Sequence, residues 1–163
     1  MTITIQHGDI VKGEADTLIV QCDGASRKSM GRVGLLMQRQ MGEEEWDDVM
    51  DQFTWPIPIG TAQHRKVNVE NYRSVILMAC MSHQEEAHLQ FLASALNRAM
   101  AAAAGQGCTT VAMVLGQGGY RLTTKDAARA IQNAARSQPS LRVTVFTLDH
   151  ERAVIAQQLI NQQ

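Results

Sequence analysis

The sequence predicts a three-layer α/β/α sandwich around a mixed, mainly parallel sheet, spanning residues 1–163 as a single domain. Three observations carry this. Short β-branched runs alternate with helical patterns along most of the chain. The runs at 17–20 and 74–80 are apolar on both faces, as expected of central strands covered by helices. A third apolar run, 110–115, enters the glycine-rich turn Gly116-Gln117-Gly118-Gly119 and then a helical pattern, the order of a parallel strand and its crossover.

Taken in order, Thr2-Ile3-Thr4-Ile5-Gln6 alternates as a half-buried strand. Residues 7–16 read as a loop or short helical turn carrying Asp9, and 17–20 as a central strand. The small and polar residues 21–34 read as a loop, after which 35–41 forms a short helix ended by Gly42. The acidic run Glu43 to Asp51 reads as a solvated helical face with Trp46 packed beneath it. Pro56 and Pro58 keep 53–60 extended, and an edge strand follows at 62–67. After the buried strand 74–80, Ser82 and Glu85 have capping-box spacing. The next helix has its apolar stripe at Leu89, Leu92, Leu96, Ala99 and Met100. Thr123 or Thr124 caps a helix that buries Ala127, Ala130, Ile131 and Ala134. A last strand, 141–148, precedes a helix capped by Asp149 and holding Ala153, Ile155, Ala156, Leu159 and Ile160.

Composition narrows the function classes. The chain is 45% hydrophobic, enough for a continuous core at 163 residues, and its net charge of -1 argues against double-stranded nucleic acid as a partner. Cys22, Cys80 and Cys108 are odd in number and far apart, which favours a reducing, cytoplasmic setting over a disulfide framework. No apolar run reaches membrane-spanning length, and Met1 to Gly8 lack a basic-then-apolar leader. No spacing of Cys and His supports a metal, and no cofactor is expected. A nucleophilic pairing of Cys22 or Cys80 with His83 is a minor reading against that of buried small hydrophobes.

The glycine turn at 116–119 serves either as a tight surface turn or as a place where backbone N–H groups approach a phosphate. Gly31 and Gly34 offer a second close approach at a helix start, beside the basic residues Arg27, Lys28 and Arg32. Asp9 is either a surface turn acid or, as a pure acceptor, a partner for the amino group of a purine-like ring.

Together, Gly8-Asp9-Ile10, the strand Ala15-Asp16-Thr17-Leu18-Ile19-Val20, the loop with Gly31 and Gly34, and Gly116-Gln117-Gly118-Gly119-Tyr120 resemble the macro domain family of ADP-ribose-binding modules. The likeness in order and spacing extends over nearly the whole chain. It implies that Asp9 accepts from the adenine amino group and that Ile10 packs on the ring. It implies a first diphosphate loop at Gly31, Arg32, Val33 and Gly34, and a second at Val114, Leu115, Gly116, Gln117, Gly118, Gly119 and Tyr120.

The chain departs from the family pattern where chemistry would occur. Gln21-Cys22-Asp23-Gly24 stands where hydrolytic and strongly binding members carry Asn-Ala-Ala-Asn, and Gly24 lacks the amide that acts at the distal ribose. Arg32 takes the place of a small residue, Val114-Leu115 replaces Ser-Thr, and Arg121 replaces a proline. The expectation is a divergent module binding ADP-ribose or a related nucleotide diphosphate sugar, free or carried on an ADP-ribosylated protein or RNA, with weak or absent hydrolysis. Asp23 is the candidate catalytic group, orienting water at the distal ribose. The alternative is a protein or RNA interaction module whose cleft is filled by Arg32, Leu115 or Arg121.

Overall fold

The computed structural model describes residues 2–26, 31–81, 89–115 and 122–162. Its strands are β1 (Thr2–His7), β2 (Ala15–Asp23), β3 (Thr61–Arg65), β4 (Tyr72–Met81), β5 (Thr110–Val114) and β6 (Arg142–Thr147). Its helices are α1 (Arg32–Met41), α2 (Glu43–Met50), α3 (Leu89–Gly105), α4 (Thr124–Arg136) and α5 (His150–Asn161). The six strands form one sheet in the order β1-β6-β5-β2-β4-β3. All neighbours pair in parallel except β3, which lies antiparallel to β4 at the edge.

Alternation along β2 divides the core. Ile19 joins a cluster with α3 and α4, built on Leu96, Met100 and Ile131. Leu18 and Val20 face the opposite cluster with α1, α2 and the 53–57 segment, where Trp46 and Met37 are fully buried. A helical layer therefore covers each face of the sheet, which is the three-layer sandwich expected from strands apolar on both sides.

Several local expectations hold. Gly42 ends α1 at φ 103°, a left-handed conformation that glycine adopts without strain. Thr123 caps α4 by accepting from the Asp126 amide, and Asp149 caps α5 by accepting from Glu151 and Arg152. The glycine turn 116–119, Tyr120, Arg121, Arg27, Lys28 and the Ser82 to Glu85 capping box with His83 lie outside the described residues.

Other expectations are corrected. Residues 21–23 continue β2 instead of opening a loop, because Gln21 and Cys22 pair in register with Met78 and Ala79. Helix α1 begins at Arg32, three residues earlier than its apolar pattern. Leu89 and Ile155 are exposed, at 41% and 36%, although both fall on the apolar stripes of their helices. Leu89 is the first residue of α3, and Ile155 lies on the outer face of α5, which rests at the β1 end of the sheet.

Candidate functional site

A cleft of about 510 Å³ opens at the carboxyl ends of β1, β5 and β6. This is where an open α/β sheet places its ligands, since helix starts and strand ends converge there. The strand order brings distant residues together: Gly8 N–H donates to Thr147 O at 3.0 Å, and the Leu115 amide donates to Phe146 O at 2.9 Å. The walls come from Gly8–Ile10, from the first turn of α1 at Arg32, Val33 and Leu36, and from Val114 and Leu115. The β6–α5 junction, Phe146 to Asp149 with Arg152, adds a further wall.

Asp9 stands at the N-cap of a short 3-10 turn, Ile10–Lys12, with Oδ1 accepting from the Val11 amide at 3.0 Å. A carboxylate has two oxygens and about four lone-pair sites, so this bond leaves capacity for another donor. The turn is held from below by Tyr72, whose hydroxyl donates to Ile10 O at 2.6 Å. Burial, and secondarily the charge of Asp9, push the Tyr72 phenol well above its ordinary range, so it stays a donor throughout the physiological range.

The two helix starts at the cleft differ. Asp149 brings a carboxylate onto the first amides of α5. The N-cap of α1 is Gly31, which contributes no side-chain hydrogen bond. Gly31 therefore offers these amides no side-chain acceptor of its own, and the positive end of this helix borders the cleft at Arg32 and Val33. Gly31 sits close against β2: a Cβ there would come within 2.6 Å of the Gln21 carbonyl.

The structure thus brings Asp9, Ile10, Arg32, Val33, Val114 and Leu115 into one cleft. Gly31 and Gly34 support it from the start of α1 without lining it. Asp23 is not on the lining; it is 4% exposed, and its Oδ1 accepts from the Ala25 amide at 2.9 Å. The following Gly24 is pressed backbone to backbone on Ile57, whose amide donates to Gly24 O at 2.7 Å; a Cβ at Gly24 would collide with the Ile57 carbonyl. Cys22 and Cys80 are buried, and desolvation pushes both thiols up to about 12, which removes the thiolate that nucleophilic chemistry requires.

Sequence reasoning missed Phe146, Thr147, Leu148 and Arg152 as cleft residues. The only available signal was the cap at Asp149, which locates a helix start but not its neighbour β1. Leu148 is 60% exposed and adds an apolar surface at the cleft rim, while Arg152, whose Nε donates to Thr124 Oγ1 at 3.1 Å, adds a second cation.

No family model matches the sequence, and no curated protein matches it. Solved structures do match. The macrodomain of Mycobacterium tuberculosis DarG aligns with 89% of this chain and 97% of its own, at a TM-score of 0.72 and 15% identity. A Trypanosoma brucei macrodomain solved in complex with ADP aligns with 98% of this chain and 69% of its own, at 0.79 and 12%. The macrodomain of Oceanobacillus iheyensis aligns with 98% and 89%, at 0.77 and 14%. The fold of this chain is the macrodomain fold.

Proposed function

From a chain with the macrodomain fold, we propose that residues 1–163 act as one domain that binds ADP-ribose or a related nucleotide diphosphate sugar. The observation that carries this reading is the glycine-capped start of α1 bordering the same cleft as Asp9. An anion at α1 would receive amide hydrogen bonds and the favourable end of the helix dipole. A ring bearing an amino group would donate to Asp9 and lie against Ile10. The cleft volume falls within the roughly 300–1,000 Å³ typical of small-molecule sites. The Trypanosoma brucei structure holds ADP in a molecule of this fold, which supports the nucleotide as ligand class.

Arg32 and Leu115 stand as walls of this cleft, which supports an open site over the interaction-module reading; Arg121, the third residue of that reading, lies outside the described residues. Hydrolysis is not part of the proposed function. The Asp23 carboxylate is buried and engaged by the Ala25 amide, and the Gly24 backbone is packed on Ile57. We assign the protein to the cytoplasm because its three cysteines are free. Among the described residues no helix is long and apolar enough to cross a membrane.

Titration calorimetry with ADP-ribose, AMP and ADP tests the reading. Micromolar binding that favours ADP-ribose is the expected result. Folded protein that gives neither heat nor thermal shift with any of the three would overturn it and turn the search to a protein or RNA partner.

A further inference from the structure

A second cavity, of about 240 Å³, lies at the opposite end of the strands, where β2 and β4 begin, under the turn that joins α3 to β5. Its walls include Asp16 and Ser74 from the starts of β2 and β4, His64 and Lys66 from the end of β3, Arg73, and Cys108. It shares no residue with the cleft.

The lining carries two cations, Lys66 and Arg73, against one carboxylate, Asp16. Asp16 is committed to structure: its Oδ2 accepts from the Thr109 amide at 2.7 Å, the Thr109 hydroxyl at 3.0 Å and the Thr110 amide at 3.2 Å. Arg73 acts on that carboxylate through space, and Lys66 acts likewise on Cys108 and His64. Among the described residues neither the Lys66 ammonium nor the Arg73 guanidinium makes a side-chain hydrogen bond or ion pair. His64 lies opposite Ile76 in the β3–β4 register, and its Nε2 is buried with no hydrogen-bond partner among the described residues.

The end of α3, whose dipole would repel an anion, is closed by the chain itself. Gly107 N–H donates to Ala104 O at 3.0 Å, and Cys108 N–H donates to Ala103 O at 3.0 Å. Gly107 has φ 79°, and a Cβ there would meet nothing within 4 Å, so the turn leaves space beside the cations.

We propose that this pocket is a binding site for a small phosphate monoester, with Lys66 and Arg73 as its cationic grips and His64 and Ser74 on its wall. A tetrahedral oxyanion suits this set, because its terminal oxygens accept from a guanidinium fork and an ammonium together. The volume is too small for a nucleotide diphosphate sugar, falling below the roughly 300 Å³ lower bound of drug-sized sites. The inference does not depend on the function proposed for the cleft.

The test is residue-resolved NMR of the full chain titrated with inorganic phosphate and with glycerol 3-phosphate, at constant ionic strength against chloride. Saturable shifts are expected at the amides of Lys66, Arg73, Gly107 and Cys108 and at the His64 ring, with half-saturation in the millimolar range. In the Lys66→Ala/Arg73→Ala variant, whose changes fall on exposed side chains, half-saturation should rise at least about tenfold. Cys108 is half-buried while Cys22 and Cys80 are buried, so phosphate should also slow modification of Cys108 by a dianionic aromatic disulfide. Shifts confined to the first turn of α1, shifts that never saturate, or equal behaviour of the double variant would overturn the proposal.

Discussion

One carboxylate oxygen of Asp9 already has work within the fold, because it caps the turn that carries Ile10. Removing the side chain therefore has two separable effects. Asp9→Ala should cost about 1 kcal/mol of stability through the lost cap. It should also weaken ADP-ribose by about tenfold through the lost acceptor, while leaving ribose 5-phosphate unchanged. Asp9→Asn keeps an oxygen for the Val11 amide, so it should restore stability without restoring affinity. Calorimetry on both variants, beside denaturant unfolding, checks this, and equal ADP-ribose affinity of wild type and Asp9→Ala would remove the assigned role. Gly24 presents the opposite case, a position defined by the side chain it cannot have. Gly24→Asn would bring in the amide that hydrolytic macro domains carry, but it places a Cβ into the Ile57 carbonyl. The expected outcome is a loss of about 1–3 kcal/mol in urea unfolding and no gain of hydrolase activity. Unchanged stability of that variant would contradict the close packing of this turn.

At the scale of elements, α1 joins affinity to an unfavourable charge. Arg32 is the first residue of the helix, where a cation opposes the dipole, and no acidic residue lies in the first turn. Arg32→Ala should therefore leave the fold as stable or raise its stability by about 0.5 kcal/mol. The same change should weaken ADP-ribose several-fold by removing a cation at the proposed diphosphate position. Opposite signs in melting temperature and affinity are the signature to measure, and loss of both together would mean that Arg32 supports the fold instead. The starts of β2 and β5 are joined in another way, by Asp16. Its donors, first the Thr109 amide, hold its carboxyl below the ordinary 3.8 even though desolvation raises it. The folded value is thus lower than the unfolded one, so the stabilisation is complete above about pH 4 and is lost as pH falls through the lowered folded value. Asp16→Asn should be less stable than wild type at pH 7, and the difference should shrink as acid is added. A constant difference between the two acid-unfolding curves would rule out this linkage.

For the whole molecule, the sequence was most informative where a side chain meets only its own element or the nearest layer. The runs at 17–20 and 74–80 announce strands covered on both faces, and Thr123 and Asp149 announce helix starts, because these signals depend on local geometry. Half of the candidate cleft was legible in the same way, through Asp9 and the start of α1. The other half was not, since Phe146 to Arg152 reach it only because β6 inserts between β1 and β5, a pairing across about 140 residues that no local pattern encodes. That same topology separates the cleft at the carboxyl ends of the strands from the small basic pocket at their starts, with a closely packed sheet between them. Ligands that bind only the folded state stabilise it by RT ln(1 + [L]/Kd), about 2.7 kcal/mol at a hundred times Kd. Sites with no shared partners contribute additively. ADP-ribose should therefore raise the melting temperature of the Lys66→Ala/Arg73→Ala variant by as much as it raises that of wild type, and phosphate should add its own increment only in wild type. A diminished ADP-ribose shift in the variant would mean instead that the sheet transmits strain from one end of its strands to the other, coupling two sites that share no lining residue.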